Sequence, residues 1–503
     1  DRPVLRPAAQ RTPSAARHTA GQRPIQRRTI DAGLAAGHDF PELARHGHSL
    51  TKPGAGKNAF PPTRLIYDAP PQNSMKILVI GGGGREHALV WKLAQSSRAT
   101  QMWCAPGNAG IGGEMLAANG SAVECVGIGA EDLPALLVFA RDNQVDLTVV
   151  GPDNPLAMGI VDQFQAAGLR AWGPTQQAAQ FESSKIFSQQ FMDRNGIPTM
   201  QSASFTDASG AKSFAASLEG KCAVKADGLA LGKGVLICNN TGEAYGAIDQ
   251  IMTDRAFGEA GSSVLIQELI TGMEVSLHAL CDGKCAKLFP SSQDHKRALD
   301  GDEGLNTGGM GTYSPVPFLS DEKLTQIADA VLAPWLAGCA AEKIDFRGML
   351  YPGVMLTDNG PKVLEFNARF GDPETQVYLT RLENDLVDLL EASIDGTLAG
   401  HELRWSGQAA VCVVMASGGY PGSYEKGKVI TGIADANALP GVKVFHAGTK
   451  LDNENVVTSG GRVLGVTALG QELQAARDLA YKAASKIHFE DAFTRTDIAA
   501  KAL

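Results

Sequence analysis

In the stretch 364–376, LEFNARFGDPETQ, Glu365, Asn367 and Arg369 recur at alternate positions of an apolar run. Side chains alternate across a strand with period two, so these three share one face, while Leu364, Phe366 and Ala368 share the other. A carboxylate and an amide oxygen are hard donors of the kind Mg²⁺ accepts alongside phosphate oxygens and water. A guanidinium on the same face can grip a carboxylate or phosphate in a fork. A second stretch, KADGLALGKGV at 225–235, ends a strand on Lys225 and follows it with a glycine-rich turn carrying Lys233. Flexible backbone N–H groups with ammonium groups suit a polyphosphate, although the G-x-x-x-x-G-K-[ST] spacing is absent. In LIQELITGMEVS, Glu268 stands just past an apolar strand and Glu274 six residues on. Strand-end backbone can pair with an adenine edge, and a carboxylate can hold ribose hydroxyls.

A fourth stretch, GGGGREH at 81–87, lies between a strand and a helix. A helix N-terminus favours an anion, so a phosphate-bearing ligand fits. A dinucleotide-binding dehydrogenase would also place an acid at the end of the second strand for the ribose. Trp103, Cys104, Ala105 and Pro106 stand there instead, which argues against that class.

The elements that position these residues can be read from pattern. From Met75 the chain alternates strand, turn and helix: MKILVI, then GGGGRE, then HALVWKLAQSS, a strand near 101–104, and VDLTVVGPDNPL. This predicts a doubly wound parallel sheet to about Thr175, with ligand loops beyond the carboxyl ends of its strands. A helix is expected over 182–195, short strands with glycine turns after it, a hairpin turning at Asp358, Asn359 and Gly360, a helix over about 374–390, and a last helix near 472–487. No internal repeat is present.

The chain has 503 residues, 44% hydrophobic and 20% charged, with a net charge of −9. Three or four domains are expected, and the charge gives no reason for a nucleic-acid or anionic-membrane partner. The eight cysteines are scattered without a zinc spacing, as in buried, reduced thiols. Residues 1–74 differ: eleven Lys and Arg against five Asp and Glu give +6, which leaves −15 for 75–503. Rich in Pro and Arg and without periodicity, they are expected to be disordered. Two readings compete, an organelle transit peptide and translated sequence upstream of the working protein. The scarcity of serine, and Met75 directly before the first strand, favour the second, and with it the cytoplasm. The first would mean a plastid or mitochondrion.

In order, GGGGREHAL, APGNAG, GPDNPL, KADGLALGKGV, SQDHKR, NTGGMGTYSP, KVLEFNARFGDPETQ, GGYPGSYEKG and VFHAGTK resemble the motifs of the ATP-grasp ligases, and within them the glycinamide ribonucleotide synthetase family. The resemblance covers nearly all of 75–503. It implies a multidomain protein of α/β and α+β parts. The parts would be a phosphoribosylamine-binding domain over 75–176, an ATP-grasp domain over 177–400 with a mobile lid at about 198–266, and a small C-terminal domain over 401–503. It further implies ATP and Mg²⁺ or Mn²⁺ as cofactors, glycine and 5-phosphoribosylamine as substrates, and a monomer. By the same resemblance, Lys185 and Lys225 hold phosphates under a loop containing Gly228, Gly232, Lys233 and Gly234. Glu268 and Leu269 meet adenine, Glu274 meets ribose, and Glu365 and Asn367 hold the metal. Asp294 and Arg369 orient glycine, Lys296 and Arg297 stabilise the phosphoryl group, and Gly83, Asn108 and Asp153 contact the sugar substrate. Asp153, Gln267, Leu231 and Ala368 depart from the residues usual in the family, and Asp153 shortens the reach to the sugar by one methylene. A different ATP-grasp ligase or carboxylase, and an inactive ATP-binding scaffold, are the alternatives. SQDHKR with FGDPE argues against the former, and the intact Lys225, Glu365, Asn367 and Arg369 against the latter.

Overall fold

The computed structural model describes residues 74–229 and 234–503. Disorder over 1–74 therefore concerns residues outside those described, Ser74 excepted, and Leu231, Gly232 and Lys233 are outside them too.

Strands β1 (Met75–Gly81), β2 (Ala99–Pro106), β3 (Glu124–Cys125), β4 (Leu147–Val150) and β5 (Ala171–Trp172) form a parallel sheet in the order β3-β2-β1-β4-β5. The unbroken apolar run of β1 is explained by burial on both faces. Ile77 and Val79 pack on one side with Leu89 and Leu93 of α1 (Gly84–Leu93), and Leu78 and Ile80 on the other with Leu136 and Ile160. The loops leaving β1, β2 and β4 are drawn together, Gly107 N–H donating to Gly81 O at 3.1 Å and Gly151 N–H to Ile80 O at 3.1 Å.

The expected helix over 182–195 is two helices, Gln176–Ser183 and Lys185–Arg194. They break at Ser184, whose Oγ accepts from Phe187 N–H at 3.1 Å and donates to Asp227 at 3.0 Å. The helix expected near 374–390 is likewise two, Glu374–Arg381 and Leu386–Asp395. Asp385 caps the second through Val387 N–H at 2.9 Å.

Strands Ser202–Phe205, Lys221–Ala226, Val235–Asn239 and Val264–Glu268 make a separate four-stranded antiparallel sheet with its own apolar cluster, including Val224, Ile248, Val264 and Ile266. The long strand Arg347–Thr357 pairs with Met273–Ser276 and Ala279–Asp282 on one side and with Gly360–Asn367 on the other. A bulge lies in the last pair: Gly353 faces Glu365 and Val354 faces Val363, leaving Leu364 as the extra residue. The core face is therefore Val363, Phe366 and Ala368, and Leu364 does not join it. Behind this sheet, helix Asp321–Glu342 is long and apolar enough to cross a membrane, but it buries Ile327, Val331 and Trp335 in an aromatic core with Phe181, Phe346 and Phe366.

A third sheet runs in the order Gln293–Asp294, Gly311–Ser314, Ala409–Ala416, Arg462–Gly470, Val442–His446. Its first two strands come from the segment before residue 400, so the C-terminal region and the strand bearing Asp294 share one sheet.

Candidate active site

One face of the Met273–Ser276, Arg347–Thr357 and Gly360–Asn367 sheet carries Glu274, Ser276, Tyr351, Glu365 and Asn367. Gly353 sits between two of the acids, since a Cβ there would be 3.9 Å from both Glu274 Oε1 and the Glu365 side chain. Burial would raise the Glu365 carboxyl. Lys225, Lys296, Lys185 and Arg369 together outweigh it and hold the group down at about 2, so it is ionised. Lys225 Nζ donates to Leu364 O at 3.1 Å, the carbonyl that the bulge turns inward. Its own burial pulls it down to about 8, against the opposing charge of Glu365. Lys185 Nζ donates to Gly228 O at 2.9 Å. Gly228 has φ +148° and lies against Ala260, which a Cβ would approach to 2.9 Å, so only glycine fits. Of the expected phosphate loop, Gly228 and Gly234 are described and Gly232 and Lys233 are not.

Lys296 is ion-paired with Glu274. Arg297, one residue on and the first of its strand, donates to Gly304 O at 2.7 Å. Lys296 and Arg297 thus have separate partners, the first on the Glu274 face and the second on a neighbouring turn. Arg369 Nη2 donates to Glu182 Oε1 at 2.8 Å and to Asn367 Oδ1 at 3.2 Å, while its buried Nε has no partner among the described residues. Asn367 Nδ2 donates to Tyr351 O at 3.3 Å, which orients its oxygen. Burial, and next the nearby Glu374, push the Asp294 carboxyl well up.

At the sheet edge expected to meet adenine, Glu268 N–H donates to Gln201 O at 2.8 Å and Leu269 N–H to Lys221 O at 3.1 Å. Both donors complete the sheet, so this edge offers a nucleobase carbonyls rather than the Leu269 N–H. Gln267 is buried and donates to Gln189 Oε1 at 2.7 Å, a neutral pair that needs no counter-ion.

The parallel-sheet loops carry two further corrections. Gly83 N–H, expected to face an anion, donates to Glu86 Oε2 of its own helix at 2.6 Å. The Glu86 carboxylate also accepts from Arg85 Nε at 2.5 Å, and fills the space beside Gly151. Asn108 is engaged at every polar atom: Nδ2 donates to Gly82 O at 2.9 Å and His446 O at 2.8 Å, and Oδ1 accepts from Gly110 and Ile111 N–H. Its side chain shapes the loop and leaves no donor for a sugar. Asp153 lines a small cleft with Glu182, Ser183, Leu229 and Ala368.

Several groups of this site carry no local sequence signal. Glu182 receives both Arg369 and the Ala368 N–H, the latter at 2.8 Å. Arg462 donates to Gly308 O at 2.7 Å, Asp372 O at 2.6 Å and Asp372 Oδ2 at 3.1 Å. Asp227 accepts from the Ser184 hydroxyl and from the Ile186 N–H. Glu374 sits beneath Tyr351. As a whole, the cleft presents an ionised carboxylate among lysines, two hard oxygen donors, an orphan guanidinium N–H and two further acids, Asp294 and Glu374. That set suits a polyphosphate, a divalent cation and a small zwitterion.

Comparison with known proteins agrees. Residues 75–182, 183–375 and 410–501 match the N, ATP-grasp (A) and C domains of phosphoribosylglycinamide synthetase. The chain is 46% identical over 430 residues to phosphoribosylamine–glycine ligase of Vibrio cholerae, 85% of this chain and 99% of that one. It is 50% identical over 430 residues to the trifunctional purine biosynthetic protein adenosine-3 of Gallus gallus, 85% of this chain but 42% of that one. The crystal structure of phosphoribosylamine–glycine ligase from Thermotoga maritima overlays with a TM-score of 0.70 at 32% identity, over 84% of this chain and 100% of that one.

Proposed function

The chain belongs to the phosphoribosylglycinamide synthetase family, and from that premise we propose that its cleft joins glycine to 5-phosphoribosylamine, converting ATP to ADP and phosphate and forming glycinamide ribonucleotide. It is a ligase of purine biosynthesis built on an ATP-grasp domain. The observation that carries the reading is the ionised Glu365 ringed by Lys185, Lys225 and Lys296.

A carboxylate is a poor acyl donor. Transfer of the γ-phosphoryl group to glycine gives glycyl phosphate, and phosphate leaves when the sugar amine attacks the acyl carbon. Lys185, Lys225 and Lys296 place positive charge where the phosphoryl group carries negative charge. Glu365 and Asn367 offer two hard oxygens, a set that fits magnesium or manganese sharing its other positions with phosphate and water. An ion held there would neutralise phosphate charge. The unpartnered Arg369 Nε is a donor for the substrate carboxylate, and Asp294 is an acceptor for its ammonium. Exclusion of water from the cleft would protect the acyl phosphate. The acidic balance of 75–503 supports small-molecule substrates without a nucleic-acid or membrane partner, and the same reading has a cytoplasmic monomer.

The test mixes ATP, Mg²⁺ and glycine with and without freshly generated phosphoribosylamine. ADP release should require both co-substrates. Release that ignores glycine would sink the assignment.

A further inference from the structure

Glu374 opens the helix Glu374–Arg381 and is 2% exposed. Its Oε1 accepts from Tyr351 Oη at 2.6 Å and Ser276 Oγ at 3.3 Å, two residues of the face that carries Glu365. Oε2 meets no donor among the described residues. A second acid, Asp294, lies close by: a Cβ at Gly309 would fall 2.7 and 2.8 Å from its carboxylate oxygens and 2.5 Å from Pro373, the residue before Glu374. Asp294 accepts from His295 N–H at 2.7 Å.

Two carboxylates close enough to feel each other's charge call for a cation, yet each neighbouring cation is engaged elsewhere. Lys296 pairs with Glu274, Arg369 with Glu182, and Arg462 with Asp372. An independent sign comes from His278, which is fully buried. Its Nδ1 meets the Tyr378 hydroxyl at 3.1 Å, and that hydroxyl donates to Ser292 Oγ. The ring is therefore neutral with its proton on Nδ1, and Nε2 is an acceptor without a partner among the described residues. A Cβ at Gly371 would stand 2.5 Å from Glu374 Oε2 and 2.9 Å from His278 Nε2, so both unfilled acceptors converge on one side of that glycine. Arg369 Nε, close enough to feel the Glu374 charge, is the unfilled donor. Orphan acceptors beside an orphan cationic donor describe the two ends of an amino acid.

We propose that Glu374, with Asp294, receives the ammonium group of the amino-acid substrate and so selects an α-amino acid over its hydroxy analogue. The proposal rests on the ligase reading above. Hydrogen bonds to a charged group are worth ~10- to ~100-fold in binding, so Glu374→Gln, which keeps the acceptor for Tyr351, should raise KM for glycine by about that much. The KM for ATP and the inhibition constant of glycolate, which carries a hydroxyl in place of the ammonium, should stay within about threefold, and the melting temperature should not shift. A purely structural Glu374 would move all four together. A glycine KM unchanged in Glu374→Gln, with wild type active, overturns the proposal alone; a wild type without glycine-dependent ADP release overturns the ligase reading instead. Should Glu374→Gln not fold, Asp294→Asn carries the same test: glycine affinity lost with glycolate inhibition kept supports the pair, and both kept refutes it.

Discussion

Glu365 and Lys225 define the chemistry at the scale of single residues, because each is held in a state that its burial alone would oppose or weaken. Glu365 stays ionised only through the lysines and Arg369 around it. Glu365→Gln should keep the fold, since the amide is isosteric, and should cut glycine-dependent ADP formation by at least ~100-fold, the scale of losing a group that stabilises transition-state charge. Normal turnover with an unchanged melting curve would remove Glu365 from the metal site. Lys225 is poised differently, drawn down to about 8 by burial. Between that value and its ordinary one near 10.5, the unfolded chain holds a proton that the folded chain has lost. This group therefore makes folding more favourable as pH rises through that window, and its penalty is fully present below it. Function runs the other way. Above pH ~8 the free protein loses a cation that a triphosphate needs, so the ATP dissociation constant should climb toward about tenfold per pH unit. Titration calorimetry at pH ~7 to ~9.5 checks this. A flat profile would show that Lys225 keeps its proton, and Lys225→Met should be weak and flat throughout.

Elements place these residues, and the break at Ser184 shows how far sequence could see. A run from 182 to 195 reads as one helix because nothing local forbids continuing through Ser184. The interruption is set by Asp227, whose carboxylate takes the Ser184 hydroxyl and the Ile186 N–H from 43 and 41 residues away. The break puts Lys185 in the first turn of a new helix, from which it reaches Gly228 O. The Glu365, Asn367, Arg369 face was legible because period two is a property of one strand, yet the bulge at Leu364 was not, since it is fixed by the register with Arg347–Thr357. The parallel sheet was legible from its alternation of strand, glycine turn and helix. Glu182 and Arg462 were invisible because their partners lie 186 and 90 residues away. Asn108 and Gly83 spend their polar groups on their own loops, which sequence did not reveal because a loop's hydrogen bonds are not written in its composition. Ser184→Ala tests the element directly. Loss of the cap should cost about 1 kcal/mol and raise KM for ATP severalfold by loosening Lys185. A stability loss without any change in ATP affinity would mean that the break serves packing alone.

At the scale of the molecule, the sheet that carries Asp294 is completed by the C-terminal region. Gly311–Ser314 joins Gln293–Asp294 on one edge to Ala409–Ala416 on the other. Arg462, from the neighbouring strand, fixes the Gly308 and Asp372 carbonyls, hence the turn that leads to Glu374. The end of the cleft that carries Asp294 is therefore a shared construction of the ATP-grasp and C-terminal regions, whereas all three family domains begin at residue 75 or later. These facts predict opposite outcomes for two truncations. A chain starting at Met75 should retain full glycine-dependent turnover and the same melting temperature. A chain ending at residue 400 should lose it, because Gly311–Ser314 would expose an unpaired apolar edge including Tyr313, which is fully buried in the whole protein. Size-exclusion chromatography with an ADP-release assay on both truncations separates the cases. A soluble, active chain ending at residue 400 would show that the C-terminal sheet is an accessory, and an inactive 75–503 fragment would give residues 1–74 a part in the working enzyme.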